Sequence, residues 1–470
     1  MKTTVNELWK KDKDHVIHPY TNFESFKDVG SVIYGKGKGH YVYDVEGKQY
    51  LDGIAGLWCV NIGHGNEEMA DAIKQQSLDL AYYNTFEDAG SVPAALLADK
   101  ISELCPDNLN HVFFGTGGSM ANDTAIKMIH YYFNLVGKPE KKKILSRNLA
   151  YHGSTYLAHA LTGIAPTHIG FDLPHNLVHY LSAPYAYREQ NDLSEEAFCD
   201  ALIGEMETYI NRYGADNIAC FIAEPIMGAG GVIVPPKGYI KRTYELCQKY
   251  NIFYISDEVV TAFGRLGNMI ASEERFGIKP DVIILAKGIS SGYVPLGATV
   301  ISDEIYEVIS RAKPDNPYFS HGFTYSGHPV SCQAGLKNIE IMEQMDLCAH
   351  VKQWGPYFEQ RLKALIDLPI VGDVRGSHYM LSLELVTDKS TKHPFDPGLN
   401  IAKRVYYHAR SMGLIVRPIG SLIVLSPPLT YDKEAIDTTC DVLKRSIEQT
   451  MHDLKNEAVW KETMKQAGRE

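Results

Sequence analysis

No apolar run in this chain approaches the roughly 20 residues that a membrane-spanning helix needs. The segment Met1-Lys-Thr-Thr-Val-Asn-Glu-Leu-Trp9 has no apolar core of the kind a signal peptide carries. The expectation is a cytoplasmic protein with no membrane partner. Basic blocks are missing too. Lys141-Lys142-Lys143 is short enough to read as a solvated turn, and the formal net charge is −11. That balance argues against a nucleic-acid partner. The eight cysteines, Cys59, Cys105, Cys199, Cys220, Cys247, Cys332, Cys348 and Cys440, form no C-x-x-C pair. Scattered in this way they point to free thiols, with neither disulfides nor a metal site expected. Low-complexity tracts, internal repeats and long linkers are also absent. What remains is a 470-residue chain, 45% hydrophobic and 22% charged, an ordinary composition for a globular protein.

The pattern along the chain changes twice. Residues 1–60 alternate turns and short strands, with Tyr41-Val-Tyr-Asp44 and Gln49-Tyr-Leu-Asp52 flanking a hairpin turn at Glu46-Gly47. Residues 61–330 repeat a strand-then-helix pattern. His111-Val-Phe-Phe114 reads as a strand, and Ala121 to Phe133 carries Ala125, Met128, Ile129, Tyr132 and Phe133 at helical spacing. Lys143 to Ser146, Ile218 to Ala223, Ile252 to Ser256 and Val282 to Ala286 are further buried-strand candidates. Such alternation predicts an α/β domain with a mostly parallel central sheet covered on both faces. Residues 331–470 read as a smaller α+β domain: a helix from Val330 to Met345, strands near Met380 to Leu385 and Ser421 to Ser426, then a closing helix. The N-terminal segment is expected to join this smaller domain.

In open α/β sheets, ligands bind beyond the carboxyl ends of the strands. Several chemistry-bearing residues fall there. Lys287 follows the apolar run Val282 to Ala286 and enters a small, glycine-bearing loop. Partial desolvation there lowers the ammonium pKa and suits an imine-forming amine. Asp257 ends the run beginning at Ile252. An amine and a carboxylate at two strand ends suit pyridoxal phosphate, which needs an imine partner and a group to hold its ring nitrogen. Gly115-Thr116-Gly117-Gly118-Ser119 follows a strand and opens a helix, an anion cradle suited to a phosphate. A dinucleotide fingerprint fits less well, because its third glycine would fall at Met120. Tyr151 and His152 follow the next strand, where an aromatic can stack on a pyridine ring. Glu224, before Pro225, ends another strand and reads as a supporting group or a turn residue.

These residues carry a family resemblance. Tyr151-His152-Gly153, Phe221-Ile-Ala-Glu224-Pro225, Asp257-Glu258-Val259 with Phe263-Gly264-Arg265, Ala286-Lys287-Gly288 and His321-Gly-Phe-Thr324 are the most specific matches. Over nearly its whole length the chain resembles the class III aminotransferases of fold type I, and within them the amine–pyruvate (omega) transaminases. The resemblance implies that Lys287 is the imine lysine and proton shuttle. It implies that Asp257 holds the pyridine nitrogen, that Tyr151 stacks on the ring, and that Gly118 and Ser119 hold the phosphate. His152, Glu224 and Val259 are carried over as cofactor contacts. Thr324 is expected to reach the phosphate of a neighbouring subunit's cofactor, which implies a homodimer, with a tetramer left open. Two motifs depart from the family, at three positions. Gly117 and Met120 replace the serine and glutamate of its Ser-Gly-Ser-Glu-Ala motif, and Leu266 replaces a threonine after Phe-Gly-Arg.

Three positions point to a branch. Ornithine and 4-aminobutyrate aminotransferases carry a glutamate where this chain has Ala229, and a gated arginine where it has Val424. Arg417 instead resembles the mobile arginine of amine–pyruvate transaminases. A pocket that takes a carboxylate in one half-reaction and an apolar group in the other cannot keep a guanidinium buried and unpaired. Trp58, Tyr20 and Phe86 are expected to line the rest. The implied reaction moves an amino group from a primary amine, such as a diamine, an omega-amino acid or an arylalkylamine, to a keto acid, pyruvate. An aminomutase or decarboxylase on the same fold, or a non-catalytic binding protein, remains an alternative.

Overall fold

The computed structural model describes residues 4–189, 191–311 and 318–460. Its centre is a seven-stranded sheet. In spatial order the strands are His111–Gly115, Gly297–Ile301, Val282–Leu285, Phe253–Asp257, Ile218–Ala223, Lys143–Arg147 and Val178–Leu181. All neighbours run parallel except Gly297–Ile301, which is antiparallel to both of its partners. That strand and Val178–Leu181 escape a search for long apolar runs, because Gly297-Ala-Thr and Val178-His-Tyr break the pattern.

Both faces of this sheet are buried, as parallel strands require. Successive residues point to opposite faces. Ile144, Ile222, Ile255 and Ile284 pack with Ile126 and Ile129 of the helix Gly118–Leu135. Their neighbours Leu145, Phe221 and Tyr254 pack on the other side with Ile210, Ile240 and Cys247. The helix begins three residues earlier than its apolar periodicity suggests, because its first turn carries the glycine-serine cradle and no core residue.

Two smaller sheets flank the large one. Tyr34–Lys38, Tyr41–Asp44 and Gln49–Asp52 form a meander that gains Leu414–Ile415 as a parallel fourth strand. Tyr41 pairs with Leu51 and Tyr43 with Gln49, the hairpin read from the sequence. The second sheet comprises Val371–Ser377, Met380–Asp388, Leu422–Leu425 and Arg417–Ile419, with His393–Pro394 at its side. The long closing helix, Lys433–Asn456, buries Ile436, Leu443, Ile447 and Leu454.

One expectation fails here. Lys141 is not in a solvated turn: it is 1% exposed, its Nζ donates to the Ala215 carbonyl at 3.0 Å, and it lies over the Phe133 ring. Burial pulls its ammonium pKa down to about 8. All eight cysteines are free thiols.

Candidate active site

Segments at the ends of five central strands, one of them opening a helix, converge on a cavity of about 740 Å³. Thr116, Gly117, Gly118 and Ser119 form its floor where the strand His111–Gly115 passes into its helix. No side chain caps that helix, so its first amides remain free to meet an anion. Ser119 Oγ accepts the Ser154 N–H at 3.0 Å, which leaves its own hydrogen to donate. A Cβ on Gly118 would stand 2.9 Å from Val259 Cγ2, so that position has no room for a side chain. The two departures from the family motif are also visible. A Cβ on Gly117 would meet nothing within 4 Å, and Thr116 Oγ1 donates to Met120 Sδ at 2.8 Å.

Asp257 sits at the end of its strand, 3% exposed. Its Oδ2 takes His152 Nδ1 at 2.7 Å and Asn122 Nδ2 at 3.0 Å. Because the carboxylate only accepts, Nδ1 carries the hydrogen in this pair. Oδ1 receives just the Val259 N–H, at 3.2 Å, and keeps capacity for a further donor in the cavity. Asn122 also donates to the His152 carbonyl at 2.7 Å. Glu224 lies behind: its two oxygens accept the N–H groups of Tyr151 at 3.0 Å and Gly228 at 2.8 Å. Burial raises its pKa.

Lys287 follows Val282–Leu285 and opens the short helical turn Lys287–Ile289. Its φ is +46°, a left-handed conformation that a side-chain-bearing residue adopts only when the surroundings enforce it. Gly288 explains part of that constraint, since a Cβ there would stand 2.5 Å from Asn61 Nδ2. Burial lowers the Lys287 pKa, partly opposed by Cys59, Asp257 and Glu224. The lysine is thereby closer to its free-amine form than a surface lysine.

The outer wall contains Trp58, Tyr20, Tyr151 and Arg417. Trp58 is 5% exposed, has φ +64°, and packs with Ile226, Leu266 and Val424. Leu266, one of the family departures, thus belongs to the cluster that holds this tryptophan. Burial pushes the Tyr151 hydroxyl up to about 12 and lowers the Arg417 pKa. Arg417 has no carboxylate partner among the described residues. Ala229 lines the same cavity, whereas Val424 is buried in the Trp58 cluster.

Phe86 and Thr324 do not line this cavity. They lie together on the surface: Phe86 is 48% exposed and packs against Gly322, and the Thr324 carbonyl accepts the Tyr82 hydroxyl at 2.7 Å. Sequence reasoning missed Asn122, Cys59 and Ser154. Asn122 sits on a helix face that reads as ordinary amphipathic pattern, and Cys59 showed no pairing signal.

A vitamin B6 phosphate fits these residues. The uncapped helix end suits its phosphate, the spare capacity of Asp257 suits a ring N–H, and Lys287 is the buried amine in the same cavity. With strands ordered as above, this is the architecture of the fold-type-I pyridoxal-phosphate enzymes. The chain belongs to the class-III aminotransferases, whose family model matches residues 25–447. It is a pyridoxal-phosphate-dependent transaminase. The chain is 40% identical over 440 residues to a putrescine–pyruvate aminotransferase from Pseudomonas aeruginosa, covering 93% of this chain and 95% of that protein. To a diaminobutyrate–2-oxoglutarate transaminase from Halomonas elongata it is 38% identical, covering 97% and 98%. An (S)-enantioselective omega-transaminase from Thermomicrobium roseum superposes with a TM-score of 0.91 at 42% identity, over 96% of this chain and 99% of that one.

Proposed function

We propose that this transaminase moves an amino group from a primary amine to pyruvate, giving alanine and an aldehyde or ketone. The observation that carries this reading is Arg417 lining a cavity in which Ala229 stands where the ornithine and 4-aminobutyrate branch has a glutamate. A guanidinium without a permanent partner can bind the pyruvate carboxylate and withdraw from an apolar substrate group. The similarity to a putrescine–pyruvate aminotransferase supports the same acceptor.

When bound, pyridoxal phosphate supplies a carbonyl with which amines condense and a ring that delocalises the electron pair of the broken C–H bond. Lys287 would hold the cofactor's carbonyl carbon through its Nζ and, as a free amine, would serve as the base that moves the substrate's proton. Its lowered pKa serves that step, since the base must be unprotonated. Asp257 holds the ring nitrogen in its protonated form, and His152 and Asn122 hold Asp257. Gly118 and Ser119 would take the phosphate, Val259 packs beside Gly118, and Tyr151 would offer its ring face to the pyridine. Glu224 fixes the Tyr151 backbone. Trp58 and Tyr20 form the wall around the substrate.

Phe86 and Thr324 act across a subunit boundary in this reading. They lie with exposed Tyr82, Tyr83 and Tyr325 on a face that suits a second copy of the chain. The functional unit is then at least a homodimer, with residues 61–330 as the cofactor domain and residues 1–60 and 331–470 forming the smaller one. No helix of the described residues is long and apolar enough to cross a membrane. Eight free thiols suit the reducing cytoplasm.

The 38% identity to a diaminobutyrate–2-oxoglutarate transaminase favours one rival acceptor, 2-oxoglutarate. Incubation of the holoenzyme with an amine panel and either keto acid decides between them. Alanine from pyruvate is expected. Glutamate from 2-oxoglutarate with no alanine would overturn the acceptor assignment, and carbonyl or carbon dioxide release without amino transfer would favour another enzyme class.

A further inference from the structure

Three hydroxyl groups meet at the rim of the cavity. Tyr20 Oη lies 3.0 Å from Ser154 Oγ, and Tyr151 Oη lies 3.2 Å from the same oxygen. A longer contact of 3.5 Å joins the two phenols, with Tyr20 donating. Three O–H donors and three contacts can close into a ring in which each hydroxyl donates once and accepts once. Each oxygen then retains a lone pair and no hydrogen. Such a ring presents acceptors only. Tyr20 and Tyr151 both line the cavity, so an entering ligand meets those lone pairs.

The nearby charged group is Arg417, which lines the same cavity and offers only donors. A substrate group placed between the ring and the guanidinium must donate to one and accept from the other. It should also be uncharged, because a second cation beside an unpaired, half-buried guanidinium is repelled. An ammonium donates but is charged and cannot accept. A carboxylate serves Arg417 alone. An alkyl or aryl group satisfies neither wall and displaces the water that would otherwise meet those lone pairs and the guanidinium. A hydroxyl meets both requirements.

We propose that the Tyr20–Ser154–Tyr151 hydroxyl ring, with Arg417 beside it, is a hydroxyl-recognition site, and that the preferred amine donors are amino alcohols with the hydroxyl at the end remote from the reacting amine. This deepens the amine–pyruvate reading and rests on it. Ser154 is a positioning residue. Its N–H is tied to Ser119 Oγ at the phosphate cradle, and its hydroxyl holds both phenols. Tyr20 and Tyr151 are the groups that meet the substrate.

A matched set of donors tests this on the holoenzyme: 4-aminobutan-1-ol, pentylamine and putrescine, each with pyruvate and with alanine as the readout. The expected order of kcat/KM places the amino alcohol first. Tyr20→Phe and Ser154→Ala should each lower the amino alcohol to pentylamine ratio by about three- to tenfold, mainly through KM. Ser154→Thr, which keeps the hydroxyl, should keep the ratio. Taking a ratio within each variant removes any general loss of active protein. A wild-type preference for pentylamine or putrescine would overturn the proposal, as would a ratio that neither substitution moves. Alanine from all three donors with an unmoved ratio overturns only this inference. Alanine from none of them, nor from an omega-amino acid or an arylalkylamine, overturns the amine–pyruvate reading as well.

Discussion

On the proposed reading, a serine at position 117 would complete the phosphate cradle. The backbone there is extended, at φ 172°, and the space beside it is open, so a hydroxymethyl group costs neither strain nor a clash. Gly117→Ser should therefore tighten pyridoxal phosphate by about three- to tenfold in a spectroscopic titration of the apoenzyme. Gly118→Ala should weaken it, because the new methyl would press on Val259. Lys287→Ala should reduce alanine formation by at least about 10³-fold while circular dichroism stays unchanged. The placement of Lys287 and Asp257 at strand ends in one cavity was legible in the sequence because each follows or ends a continuous apolar run. Asn122 and Ser154 were not. One lies on a helix and the other in a loop, and their contacts with Asp257 and Tyr20 span 135 and 134 residues that only the fold brings together.

Among the elements, buried strands announced themselves by composition, and five of the seven central strands were read that way. Gly297–Ile301 was not foreseen at all, because Gly297-Ala-Thr breaks the apolar pattern, and its antiparallel direction is not written in composition. Lys141 was misread for a related reason: a lysine triplet looks solvated until a helix and a turn close over its first member. Asp281 makes a prediction at this scale. It precedes the strand Val282–Leu285, accepts the Tyr254 N–H at 2.7 Å, and burial raises its pKa from 3.8 to about 7. The fold thus prefers the neutral carboxyl. That contribution to stability is complete below the ordinary value and is lost as pH rises through about 7. Asp281→Asn keeps an acceptor without the charge, so its melting temperature should gain on that of wild type as pH rises from 4 to 7. Parallel pH slopes for the two proteins would contradict this.

The whole molecule depends on joins between distant segments. Gln49–Asp52 pairs with Leu414–Ile415, and Arg265, fully buried, reaches the Tyr379 and Pro427 carbonyls and Asn61 Oδ1. The first join was expected from the change in texture after residue 330, and the arginine was seen only as part of a family motif. Phe86 and Thr324 mark the limit of a single chain: in the proposed dimer they would serve the partner's cavity, and in their own chain they are merely exposed. Mixed subunits test that role. Lys287→Ala chains and Phe86→Ala/Thr324→Ala chains, co-expressed, should form hybrids with one intact cavity and give more activity than either variant alone. Activity no higher than that of the double-substituted chain would show that each cavity uses its own subunit's residues. The central claim, amino transfer through Lys287 to pyruvate, is tested most directly by the absorbance of the purified holoenzyme. The cofactor band near the visible edge should bleach when a primary amine is added and return with pyruvate, as alanine appears. A band that no amine bleaches, or that bleaches and does not return with pyruvate, would contradict the account.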